Sequence, residues 1–438
     1  MRVVIELRPS PELLSAATGS AGDISAAELT GELPGFRLDS GYSPVALPPG
    51  AREVSDTSQQ GSASYLVRGE IPDGDQGARQ ALSAAPGVTG VFADPVIEPV
   101  LTCGDDGAVG DWKKVAELLG REQLTAEGLT GAGVAVAVLD TGINAAKVRE
   151  VSGTAITIDT ARSWNPAGVG GKAGEFTVDH GTMCAFDALI AAPEATYLDI
   201  PLLQSSRSGG SRMEGLLSDA LAAFAHLRTV LTQQPADRRS LVISNSWGAF
   251  SPEWDFPVGD PGNYSDNPDH PFNVIVGSLD AAGADILFAA GNCGRDCPDG
   301  RCAYPDRPIT GANSHPNALS VAGVDTGGQR VGYSSQGPGR LAERKPDISS
   351  YTHFLGSTAF GADAPDTGTS AACPVLAGVI AAFRTRWPAA QVPPARLREL
   401  LLSSATDRAG AGFDHDYGHG VVAPQALLAK LREVAVRA

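Results

Sequence analysis

Three short segments of this chain each carry a side chain able to take part in acyl transfer, and each falls where a strand ends or a helix begins. They are Val138-Leu139-Asp140-Thr141-Gly142, Asp179-His180-Gly181-Thr182 and Gly368-Thr369-Ser370-Ala371-Ala372-Cys373-Pro374. A carboxylate at the tip of a buried strand can fix the tautomer of an imidazole. The imidazole can then take a proton from a hydroxyl, which can attack a carbonyl carbon. On that chemistry Asp140 orients, His180 is general base and then acid, and Ser370 is the nucleophile. Taken singly, Asp140 reads as well as a turn cap, His180 as a satisfied core histidine and Ser370 as a helix N-cap. The joint pattern outweighs those readings.

With its chain order Asp, His, Ser, the pattern resembles the subtilisin-like serine peptidases, the subtilases, over roughly residues 120 to 430. The resemblance implies a serine endopeptidase that passes through an acyl-enzyme. It also implies that Ala289-Ala290-Gly291-Asn292 is the oxyanion segment, with the Asn292 side chain and the Ser370 N–H as donors at the positive end of a helix. Ser246-Trp247-Gly248 is similar to the family's substrate-binding strand, which adds an extended peptide to a sheet edge, and Ala290 and Gly291 would line the same subsite. Trp247 would restrict a pocket. Tyr333 to Pro338, Lys345 to Asp347 and Tyr417 to Gly420 resemble architectural landmarks of the family. Ala371, Val375 and Met183 depart from its usual residues beside the triad, which bears on subsite preference and leaves the triad intact.

Strand and helix alternate from about residue 119 onward, the pattern of a parallel sheet covered by helices. Val134 to Leu139, Ala195 to Leu203, Leu241 to Ser246, Asp285 to Ala290 and Ala318 to Val324 are continuous apolar strands, as buried parallel strands are. Helices are expected over Met183 to Ile190, Met213 to Leu231, Asn273 to Ala282, Ser370 to Arg386 and Pro394 to Ser403. The expected fold is α/β: a subtilisin-like three-layer domain over 119–438, with a mainly parallel sheet between helices. A small α+β, ferredoxin-like domain over 1–100 resembles the family's propeptide and would act as intramolecular inhibitor or chaperone. Residues 101–118 would be a linker or processing region, and the tail from Pro95 to Asp106 would run through the cleft as a product-like strand. The competing reading is a binding or scaffold protein whose centre stays plugged by residues 95–111.

Composition bounds the rest. A formal charge of −17 speaks against nucleic acid as partner, and no apolar run reaches the ~18 residues of a membrane span. The expected partner is a protein or peptide substrate. No cofactor is required for the chemistry, no metal ligand set stands out, and a structural calcium has no assignable site. Glu6, Arg8 and Pro9 interrupt what a signal peptide would need as an apolar core, which points to the cytoplasm. In that setting Cys293, Cys297 and Cys302 read foremost as free thiols, with a disulfide or a metal clip as alternatives. Cys184 and Cys373 read as core packing, and Cys103 as a partner for Cys293. Asp255, Asp260, Asp266 and Asp269 read as an exposed acidic insertion, His415 and His419 as loop residues, and Ser205 to Gly210 as a loop.

Overall fold

The computed structural model describes residues 1–9, 25–31, 33–47, 64–74, 76–99, 102, 107–204 and 213–437. Pro48 to Gly50, most of Ser55 to Ser64, Cys103 and Ser205 to Gly210 lie outside these residues.

The N-terminal part runs β1 (Arg2–Leu7), α1 (Ala26–Thr30), β2 (Arg37–Leu38), β3 (Val45–Leu47), β4 (Ser64–Glu70), α2 (Gln76–Ser83) and β5 (Val88–Ala93). Its antiparallel sheet has the order β2-β4-β1-β5, with β3 also on β4. Strand alternation explains how this sheet is covered on both sides. Val3, Ile5 and Leu7 face a small core with Leu82 and Val91, whereas Val4 and Leu66 face the opposite way, into a core shared with the rest of the chain.

After β6 (Val96–Ile97) come α3 (Trp112–Leu118), α4 (Arg121–Ala126), β7 (Ala135–Leu139), α5 (Ala145–Ser152), β8 (Thr157–Ile158), α6 (His180–Leu189) and β9 (Thr196–Ile200). Then follow β10 (Gly215–Leu216), α7 (Leu217–Gln233), β11 (Leu241–Asn245), α8 (Pro271–Ala281), β12 (Ala284–Ala289), β13 (Leu319–Val324), β14 (Ile348–Tyr351), α9 (Thr369–Arg384), α10 (Pro394–Ser404) and α11 (Pro424–Arg437). Seven of these strands form a parallel sheet in the order β14-β13-β12-β11-β7-β9-β8. Along β7, Val136 and Val138 pack with α6 and α9, while Ala135, Ala137 and Leu139 pack with α7 and α8 on the other face. Both faces are therefore apolar, and the strands read as continuous runs rather than as alternating ones.

Two expectations need correction. The helix placed from Met213 begins at Leu217, because Gly215–Leu216 is a strand paired with Val96–Ile97. The tail after Pro95, expected as an extended strand, is one over Val96–Ile97. Finally, Asp255 is buried: it accepts from the N–H groups of Phe256, Tyr264 and Ser265, and so organises its loop from within, while Asp260 pairs with Arg79 of the N-terminal part.

Candidate active site

Open parallel sheets receive ligands outside the carboxyl ends of their strands, and that is where the chemistry-bearing residues meet. Asp140 directly follows β7 and is 1% exposed. Its turn is tight: Gly142 has φ +97°, and a Cβ there would lie 2.4 Å from Phe176. His180 opens α6, three residues before the expected start at Met183, because Asp179 caps it by accepting the His180 N–H at 2.8 Å. Thr141 Oγ accepts the Gly181 N–H at 2.8 Å, tying the helix start to the Asp140 turn. His180 Nδ1 then lies 2.9 Å from both carboxylate oxygens of Asp140.

Burial works against a charged His180, but the Asp140 charge and hydrogen bond, joined by Asp179 and Asp366, outweigh it and hold the imidazole above its ordinary value. Cys184, one turn along α6, donates to Asp140 Oδ2 at 3.5 Å and lies 3.6 Å from the Ser370 carbonyl oxygen. Among the described residues, Asp140, His180 and Cys184 bring carboxylate, imidazole and thiol within 4.8 Å of one another. Burial, with the Asp140 charge, pushes the Cys184 thiol well up. In this arrangement it is an S–H donor to Asp140.

Ser370 is the second residue of α9, after Gly368 at φ +77°. Its Oγ donates to the Ser246 carbonyl at 3.4 Å, and Ser246 Oγ returns a bond to the Ser370 carbonyl at 3.0 Å. Asn292 Oδ1 accepts from Thr369 N–H and Oγ at 2.9 and 3.1 Å, which fixes the amide with its acceptor turned to α9 and leaves Nδ2 as its donor end. One pocket gathers Ser246, Trp247, Gly248, Ala290, Gly291, Asn292 and Ser370. Trp247 lines this pocket, is 1% exposed and packs its ring on Phe272 and Phe288 in the core.

The model of the Subtilase family (peptidase S8) matches residues 131–420. The chain belongs to that family. As a subtilase it is a subtilisin-like serine endopeptidase, a hydrolase of peptide bonds. Subtilisin DY of Bacillus licheniformis is 27% identical over 311 residues, 70% of this chain and 94% of that protein. M-protease of Shouchella clausii is 28% identical over 305 residues, 68% of this chain and 65% of that protein. In fold, the subtilase resembles the crystal structure of MycP1 with the N-terminal propeptide removed. There the TM-score is 0.51 at 21% identity, covering 72% of this chain and 96% of that one. No helix among the described residues of the subtilase is long and apolar enough to cross a membrane.

The cysteines differ from expectation. Cys293 and Cys302 form a disulfide with Cα atoms 5.6 Å apart, and Cys297 is also disulfide-bonded, so these three are not free thiols. The Cys103–Cys293 pairing is excluded because Cys293 is already bonded to Cys302. Their close spacing could not tell a loop clasp from loose thiols. Cys184 and Cys373 are buried, as core packing requires. What the sequence concealed is Cys184 touching Asp140, a contact legible only once α6 is known to start at His180.

Proposed function

We propose that Ser370 is the nucleophile, His180 the general base and then acid, Asp140 the group that orients it, and Asn292 with the Ser370 N–H the oxyanion donors. The observation that carries this reading is the His180 imidazole held by both Asp140 oxygens in a buried site beside the start of α9. Ser370 Oγ attacks the peptide carbonyl as its proton passes to His180. The imidazolium returns that proton to the leaving amine, and water then hydrolyses the ester by the same relay. The substrate is an extended protein or peptide segment lying along Ser246 to Gly248, and the centre needs no metal for these steps. Ser370→Ala should lower turnover by about 10⁶-fold and abolish labelling by a fluorophosphonate. Asn292→Ala should lower it by roughly 10²–10³ while labelling persists. Near-normal hydrolysis by the Ser370 variant would sink the assignment.

The N-terminal part, over about residues 1–100, is read as an intramolecular inhibitor. Val96–Ile97 pairs with Gly215–Leu216 on one side, and Glu98 exchanges 3.1 Å backbone bonds with Gly248 on the other, which supports a segment lying where substrate would. The same observation favours the alternative of a permanently plugged binding protein. N-terminal sequencing of the purified protein separates them: a new terminus between Pro95 and Trp112 means processing, and an intact chain under activating conditions means retention. A dedicated intracellular role is harder to reconcile with the Cys293–Cys302 bond, since such bonds persist in oxidising compartments. We therefore favour an oxidising setting over the cytoplasm.

A further inference from the structure

We infer that Arg301 is a specificity-determining residue, selecting substrates with an acidic side chain three residues before the bond that is cut. This rests on the serine-peptidase reading above. Arg301 ends the loop clasped by Cys293–Cys302, immediately beyond Asn292. Its guanidinium is positioned by its own side of the cleft. Nε and Nη2 bond the two Asp299 oxygens at 3.2 and 2.8 Å, and the group lies 5.1 Å from the centre of the Phe250 ring, two residues past Gly248. Nη1 then points across the cleft to Glu98 Oε1 at 2.6 Å, while Nη2 reaches the Pro99 carbonyl at 3.4 Å.

The backbone register converts this contact into a subsite. Glu98 and Gly248 form an antiparallel bridge. In an antiparallel pair, advancing two residues on one strand retreats two on the other. A peptide continuing this register therefore sets its second residue after the Glu98 position opposite Ser246, whose carbonyl accepts the Ser370 Oγ–H. The carbonyl of that residue is the one attacked, which makes the Glu98 position the third before the scissile bond. The surroundings make Arg301 decisive. Burial raises the Glu98 carboxyl, Arg301 lowers it, and Glu214 and Asp299 raise it further. Without Arg301 the subsite would be acidic and would repel the side chain it now holds.

The test uses processed protein and three quenched fluorogenic peptides that differ only in Glu, Gln or Lys at that position. Wild type should cut the Glu peptide about tenfold more efficiently in kcat/KM than the Lys peptide. Arg301→Gln should erase or reverse the order, and Arg301→Glu should prefer Lys. Indifference of wild type, or a retained Glu preference in Arg301→Glu, overturns the inference. So does failure to cut any of the three by protein that still reacts with a fluorophosphonate. Failure of both reactions would instead overturn the peptidase reading. A second arm uses the intact chain: Glu98→Lys and Arg301→Glu should each speed labelling of Ser370, and the double variant should restore slow labelling. Equal rates in all four proteins would overturn the pairing.

Discussion

His180 sits between opposed influences, and their balance sets a pH dependence. Its folded value is raised, so the imidazole stays protonated and unable to act as base until the pH passes the ordinary histidine value of about 6.5. The acidic limb of kcat/KM should therefore have its midpoint above that value. Asp366, pushed up to about 6 chiefly by burial, is ionised at neutral pH and helps raise His180. Asp366→Asn should move the limb to lower pH in a kcat/KM profile, and an unmoved limb would remove Asp366 from the account. Stability runs the other way. A raised histidine contributes fully below its unfolded value, and its contribution fades as pH climbs through the folded one. Asp140, His180 and Ser370 were legible in the sequence because their chemistry sits in short local motifs. Arg301, Cys184 and Asp366 were not, because each gains its role from a partner far along the chain.

At the scale of elements, α6 brings His180 and α9 brings Ser370, so in the proposed mechanism their separation would govern the relay. The two helices pack directly against each other, and at one point there is no room for a methyl group: a Cβ on Gly378 would lie 2.1 Å from the Ala188 carbonyl oxygen. Gly378→Ala should cost about 1–3 kcal/mol by overpacking. Because the helices must part, kcat should fall more than KM changes, as thermal melts and steady-state kinetics would reveal. The long elements were readable: β7 is an uninterrupted apolar run, and β11 and β12 are apolar over most of their length. By contrast, β6 and β10 are two-residue strands with no periodicity to find, and they exist only because tertiary structure sets them side by side. For Trp247 the place in the motif was visible, but not the core aromatic residues Phe272 and Phe288 that hold its ring.

For the molecule as a whole, the contact between its N-terminal and catalytic parts is unusually polar at one point. Arg68 bonds Asp39, Ser218 and Asp219 and lies over the Tyr42 ring, while Asp94 accepts from both the N–H and the hydroxyl of Ser218. Burial pushes Asp94 up to about 7 even though Arg68 pulls it down, and Asp219 is raised as well, again first by burial. A carboxyl raised on docking favours the docked state most at low pH, and that contribution is lost as pH climbs toward and past about 7. The N-terminal part should thus let go more readily in mildly alkaline than in mildly acidic solution. Size-exclusion chromatography of processed protein across that range would check this, and tighter association at high pH would contradict it. A sequence reading could supply two parts and a charge of −17, but not this interface, which joins residues more than a hundred positions apart.

The strand at Val96 to Glu98 is bonded on both sides, to Gly215–Leu216 and to Gly248. Its departure leaves a slot flanked by two rows of bare backbone donors and acceptors, which welcome main chain of any sequence. Such a slot has little inherent discrimination, and the nearest extended chains at high concentration are loops of the enzyme's own siblings. Side-chain filters such as Arg301 would then decide which extended chains such a slot accepts.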